Sequence, residues 1–342
     1  MKIKLKKLSD QVIVITGASS GIGLTTARKA AERGARLVLA ARNAEALETI
    51  IGDLNALGAE AIHVVADVGK EDEVRAIAKA AIDRFGGFDT WINNAGVSIF
   101  GRNEEVSRED QRQLFETNFW GVVHGSLAAI EHLKQHGGAL INLGSELSDT
   151  AVPLQGMYSA SKHAVKGFTD SLRIELMEEN APVSVTLIKP AAIDTMFVEH
   201  AKNYMDVEPK LPPPIYAPDI VADAILAAAE SPHRDIYVGA ASKLASSTSH
   251  HAPAVVDALM KRLMFKQQRS DLPVRDRANN NLHTHSDDGR ERQGVKGMVF
   301  ETAPYTTATL YPKTTALATI GAGLALFALW QAKKRPQRRV GW

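Results

Sequence analysis

The stretch YSASK sets Tyr158 and Lys162 four residues apart, a spacing that turns both side chains to one face of a helix. A phenol titrates near pH 10 in water, and a neighbouring ammonium favours the phenolate. The pair is therefore read as an acid–base couple usable near neutrality. Upstream, Ser145 ends the apolar run INLGS, where its hydroxyl can hold a carbonyl or alcohol oxygen beside the phenol. Asn118, in ETNFWG, precedes it on a segment expected to be helical.

A second set of residues has the chemistry of phosphate binding. TGASSGIG follows a short apolar run and opens a helix pattern. Gly17, Gly21 and Gly23 leave out Cβ atoms where a pyrophosphate must approach the backbone, and the positive end of the helix faces the phosphates. Ser19, Ser20 and Ile22 complete the loop. The second apolar run ends in Ala41 and Arg42. No acid stands there for a ribose 2′-hydroxyl, and a guanidinium is available for a 2′-phosphate, which points to NADP rather than NAD. Asp67, followed by Val68, closes the third run, where a carboxylate can accept from an adenine amino group; capping a helix is the other reading. NNAG, containing Asn94, Ala95 and Gly96, closes the fourth.

These residues need elements to hold them. Seven runs read as strands: 12–16, 36–40, 61–66, 90–93, 139–143, 183–188 and 235–238. They are near-continuous apolar stretches, as expected where helices cover both faces of a sheet. Helix patterns lie between them, so the fold class is α/β with a doubly wound parallel sheet.

Taken together, TGASSGIG, NNAG, Asn118, Ser145 and YSASK resemble the short-chain dehydrogenase/reductase family in order and spacing, over roughly residues 8–240. The resemblance implies a Rossmann sheet of about seven strands, and Tyr158 as the catalytic acid/base. It implies that Lys162 binds the nicotinamide ribose and tunes the tyrosine, that Ser145 polarises the substrate, and that Asn118 seats a relay water. KPAAIDTMF would supply the nicotinamide clamp, with Pro190, Ile193 and Thr195; the family usually has Pro-Gly where this chain has Pro190-Ala191. The family's substrate lid falls on residues 194–216, whose methionines, aromatics and prolines suit an apolar substrate. A homo-oligomer is also implied. A dinucleotide sensor or scaffold on the same fold is the competing reading, and it has no need of all four catalytic residues.

The chain has 342 residues with 40 basic and 39 acidic side chains, a balance that does not ask for nucleic acid. It contains no cysteine, which excludes disulfides and thiolate metal sites. No metal site is expected, and His283 and His285 read as solvated loop histidines. The opening apolar run is too short for an export signal, so the domain over 1–240 is expected in the cytoplasm. Residues 241–312 read as a polar extension, with a linker over 266–297. From Lys261 onward there is an excess of about nine positive charges. Within that region 313–332 is hydrophobic and 333–342 basic. As a helix, Thr314–Gln331 would be about 27 Å long against a hydrocarbon core of about 30 Å. Trp330, Lys333, Lys334 and Arg335 suit an interface. A shallow insertion with the basic residues on headgroups is one reading, a transmembrane helix is a second, and a soluble helix packed on the enzyme or across an oligomer contact is the third.

Overall fold

The structure, a computed structural model, describes residues 3–275, 280–285, 289–312 and 315. Seven strands form one sheet: β1 (Val12–Thr16), β2 (Arg36–Ala41), β3 (Ala61–Val65), β4 (Thr90–Asn93), β5 (Gly138–Leu143), β6 (Val183–Pro190) and β7 (Asp235–Val238). Their order is β7-β6-β5-β4-β1-β2-β3, and each neighbouring pair is parallel. The order turns about β1 and β4, and at that switch point a crevice opens beyond the strands' carboxyl ends.

The ends of four strands differ from the reading of the sequence. β5 starts one residue early, at Gly138. β2 gains Ala41, and β3 stops at Val65. β6 runs two residues past its last aliphatic because the buried Lys189 ammonium pairs with Asp149 at 3.1 Å. A charge that ends the apolar pattern is thus neutralised at the strand's carboxyl end.

The helices are α1 (Gly21–Glu32), α2 (Ala44–Ala56), α3 (Glu71–Phe85), α4 (Arg108–Phe115), α5 (Gly121–His136), α6 (Gly156–Glu178) and α7 (Pro218–Glu230). Successive strand residues point to opposite faces. Ile13 and Ile15 of β1 therefore join a core with α1, α2 and α7, while Val12 and Val14 join another with α3, α5 and α6. Local signals fix the helix ends: the Asn43 side chain accepts from the Ala46 N–H at 3.0 Å, and α3 stops on Gly86 at φ 79°.

Beyond β7 come α8 (Ala240–His251) and α9 (Pro253–Gln267). The segment that follows is not a solvated linker in its described parts. Arg269–Pro273 pairs antiparallel with Val207–Pro209, and Val299–Phe300 lies parallel to Ile215–Tyr216. Arg292 pairs with Asp219 at 2.6 Å and with Glu301 at 2.7 Å, Arg290 pairs with Glu199 at 2.7 Å, and Leu282 is fully buried. Composition alone does not separate a solvated polar side chain from one committed to a partner across the fold. A last helix, α10 (Pro304–Leu310), is tied to β7 through Thr306, whose hydroxyl accepts from the Gly239 N–H at 3.0 Å. Apart from Thr315, the hydrophobic stretch Thr314–Gln331 and the basic tail lie outside the described residues. Among the described residues no helix is long and apolar enough to cross a membrane.

Candidate active site

Tyr158 and Lys162 stand one turn apart in the first half of α6, and both are buried. Ser145 leaves the end of β5 and caps the short helical turn Glu146–Ser148. Its Oγ accepts from the Leu147 N–H, and the Ser148 hydroxyl accepts from the Ser145 N–H, each at 3.1 Å. This reciprocal cap fixes the serine hydroxyl beside the phenol. The Tyr158 ring meets Phe197 edge-on, with centroids 5.2 Å apart.

The electrostatics differ from the sequence reading. Burial holds the Tyr158 phenol above its ordinary value; the adjacent Ser145 hydroxyl opposes this, and the Glu146 charge adds to it. Lys162 does not lower it, because its Nζ donates to the Leu143 carbonyl at 2.8 Å and lies 5.7 Å from the ring centroid. Burial pushes the lysine itself down to about 8. The phenol is therefore the protonated partner at neutral pH.

Asn118 sits in a π turn, Glu116–Trp120, between α4 and α5, an interruption frequent at functional positions. Its side chain is fully used: Oδ1 accepts from the Val97 N–H at 2.8 Å, and Nδ2 donates to the Val97 carbonyl at 2.9 Å and to Ser161 Oγ at 3.2 Å. It binds the segment after β4 to α6.

The glycine loop joins β1 to α1 at the crevice. Gly17 has φ +65°, and a Cβ there would lie 2.7 Å from Ala95 Cα. A Cβ on Gly23 would lie 2.2 Å from the Gly17 carbonyl oxygen. Asn94 braces this packing, its Nδ2 donating to the carbonyls of Thr16 and Gly17 at 3.0 and 2.9 Å. Asn93, the first residue of NNAG, turns the other way and donates to Asn142 Oδ1 at 2.9 Å within the core. The resulting cleft has a volume of about 180 Å³ and is walled by Ser19, Ser20, Gly21 and Ile22 on one side and by Arg42, Asp67 and Val68 on another. Asp67 Oδ1 accepts from the Gly69 N–H at 3.0 Å, so the side chain organises its own turn; Lys70, not Asp67, precedes α3 as its cap residue. Ala95, Gly96 and Thr195 complete the cleft. Pro190 and Ile193 line the neighbouring cavity instead. Ala191, where the family usually has glycine, has no positive φ, so its Cβ causes no backbone strain.

Two walls come from regions that gave no motif. Described residues of the C-terminal extension meet the cleft at its rim: Arg42 Nη2 donates to the Asn281 carbonyl at 2.5 Å, the Gly21 N–H donates to the Arg290 carbonyl at 2.9 Å, and the Gly289 N–H donates to the Ser19 carbonyl at 2.8 Å. His285 lines the cleft, and His283 Nε2 lies 2.7 Å from Asp110 Oδ1. Both histidines are exposed, as the sequence suggested, and His283 in addition has a carboxylate partner. The adjoining cavity, about 290 Å³, has Ser145, Tyr158 and Lys162 on one side and Pro212, Met260 and Met264 opposite. Ile22, Asn94, Gly96, Thr195 and Phe197 border both spaces.

A family model described as short chain dehydrogenase matches residues 11–205. The chain belongs to the short-chain dehydrogenase family. An uncharacterized oxidoreductase of Bacillus subtilis strain 168, YxnA, is 48% identical to the dehydrogenase over 337 residues, 98% of this chain and 93% of its own. The shared sequence therefore runs through the C-terminal extension. Among solved structures, an alcohol dehydrogenase from the archaeon Thermococcus sibiricus, complexed with 5-hydroxy-NADP, has a TM-score of 0.59 at 30% identity, covering 67% of this chain and 95% of its own. A short chain dehydrogenase from Burkholderia cenocepacia J2315 in complex with NADP has a TM-score of 0.63 at 28% identity, covering 75% and 99%. One from Burkholderia phymatum in complex with NAD has a TM-score of 0.61 at 28% identity, covering 80% and 99%.

Proposed function

We propose that the dehydrogenase transfers a hydride between NADP(H) and a carbonyl or secondary alcohol of an apolar substrate. The observation that carries this reading is the placement of Ser145 and Tyr158 side by side on an apolar cavity that opens directly into the glycine-loop cleft.

The cleft's own residues fit a dinucleotide. Its floor requires glycine, because a Cβ on Gly17 or Gly23 would collide with Ala95 or with the Gly17 carbonyl, and the N-terminus of α1 points at it. In this reading Ser19, Ser20, Gly21, Ile22 and Gly23 hold the phosphates. Asp67 and Val68 hold the adenine, and Asn94, Ala95 and Gly96 form the wall beneath. Pro190, Ile193 and Thr195 meet the carboxamide, and Tyr158 and Lys162 the adjacent ribose. Arg42 next to Ala41 favours the 2′-phosphate form; two of the solved relatives described above carry NADP or its derivative, and one carries NAD.

When bound, the coenzyme supplies or accepts the hydride. Ser145 holds the substrate oxygen. Tyr158, protonated at neutral pH, gives its proton to that oxygen in reduction and takes it back in oxidation. Lys162 brings a positive charge to the same pocket, and Asn118 keeps the segment after β4 docked on α6 so that the lysine and tyrosine stay aligned. The test is to follow NADPH absorbance with the full-length protein against lipid-derived ketones and aldehydes alongside sugars. Oxidation of NADPH with lipophilic carbonyls is expected; turnover of sugars alone, or of nothing in the panel, would end this reading.

The hydrophobic stretch Thr314–Gln331 with its basic neighbours is proposed to hold the enzyme at a membrane surface, where an apolar substrate partitions. Full-length protein is then expected to sediment with membranes, and a chain ending near Lys313 to stay in the supernatant. High salt releases a shallow, partly electrostatic attachment, since screening shortens the reach of exposed charge; a span needs detergent. Full-length protein found wholly in the soluble fraction would refute the attachment.

A further inference from the structure

Glu146 directly follows Ser145 and lines the substrate cavity. Among the described residues no hydrogen bond or ion pair engages its carboxyl, although its charge is felt at Tyr158. The residue is partly buried, with its carboxyl open to the cavity, and nothing in the mechanism above uses it. The rest of the cavity is either apolar or already satisfied. Gln155 Nε2 donates to Gln268 Oε1 at 2.7 Å, and Gln268 Nε2 donates to the Pro153 carbonyl at 2.9 Å. The other titratable side chains facing this space are Tyr158 and Lys162 of α6; Met260 and Met264 of α9 and the run 211–214 bring none.

We propose, building on the oxidoreductase reading, that Glu146 recognises a second hydroxyl close to the reacting carbon, so that the dehydrogenase prefers hydroxyketones and diols to the plain ketone or alcohol of the same skeleton. Adjacency carries the position: Ser145 takes the reacting oxygen, and the next side chain on the same turn takes its neighbour. The chemistry selects a hydroxyl over other groups. Burial pushes the Glu146 carboxyl up to about 7, so both of its forms are present near neutrality. A hydroxyl donates to the carboxylate and accepts from the acid. An ammonium suits the carboxylate alone, and a substrate carboxylate is repelled by it.

The experiment measures binding by calorimetry on the full-length chain without coenzyme, using 1-phenylethanol, 1-phenylethane-1,2-diol and 2-amino-1-phenylethanol. The diol is expected to bind about tenfold more tightly than the mono-alcohol, the size of one hydrogen bond to a charged group, both at about pH 6 and at about pH 8. Glu146→Leu should abolish the difference. Glu146→Gln should keep it, because an amide also donates and accepts. Equal affinities in the wild type, failure of the diol to bind, a preference that survives in the leucine variant, or tight binding of the amine alone at the higher pH would each overturn the assignment. Turnover of the matching ketones, read by nicotinamide absorbance, is a separate arm. Selective diol binding without any turnover counts against the oxidoreductase reading and leaves Glu146 as the hydroxyl reader; turnover without selectivity counts against Glu146 alone.

Discussion

Tyr158→Phe lowers kcat by about a hundredfold to ten-thousandfold and leaves coenzyme affinity essentially unchanged; this is the result we expect from removing a general acid alone. The aromatic ring keeps its contact with Phe197, so the variant does not open a cavity. Lys162 is held by the Leu143 carbonyl rather than by the phenol, so it stays in place. The phenol is buried and shifted upward, which makes it the form that donates. Coenzyme titration by fluorescence and a turnover assay on one carbonyl substrate check both halves of the expectation. A variant that keeps more than about a tenth of wild-type turnover is incompatible with a proton donor that contributes a hundredfold or more.

The second large effect is expected at the end of β2. Combining Ala41→Asp with Arg42→Ser should move coenzyme preference from NADP toward NAD by about ten- to a hundredfold, the range of one charge-assisted hydrogen bond. The aspartate offers an acceptor to a ribose 2′-hydroxyl and repels a 2′-phosphate, while the serine removes the guanidinium. Arg42 also donates to the Asn281 carbonyl, so the double variant should loosen the segment at 280–285. The ratio of kcat/KM for the two coenzymes measures the switch. Wild-type protein that already favours NADH would refute the role given to Arg42.

How legible the molecule was depended on the range of the interactions. The parallel sheet was readable because each strand is a short apolar run buried on both faces, and the turns carry glycines that the packing requires. Tyr158 and Lys162 were readable because a helix places positions four apart on one face whatever surrounds it. The direction of the tyrosine's shift was not, since burial raises it and Lys162 Nζ, held by the Leu143 carbonyl of a neighbouring strand, does not offset it. Glu146 gave no signal because a glutamate in a polar stretch becomes unusual only when the fold sets it, partly buried and unpartnered, on the wall of a cavity. The described residues 280–285 and 289–295 were least legible of all. Their order comes from partners such as Asp219, Asp194 and Glu199, none of them near in sequence, and polar composition normally marks a solvated connection.

Those same residues bear on how the protein is made. Ser19 and Gly21 meet Gly289 and Arg290 across about 270 positions of chain, so the floor of the cleft belongs to the first residues synthesised and part of its rim to some of the last. Contacts of such sequence separation form late and slowly, because the intervening chain must close on itself first. During translation the glycine loop can join the growing sheet while the residues that will meet it are still inside the ribosome. The last step in building the cleft is then the docking of a polar segment onto a scaffold already formed.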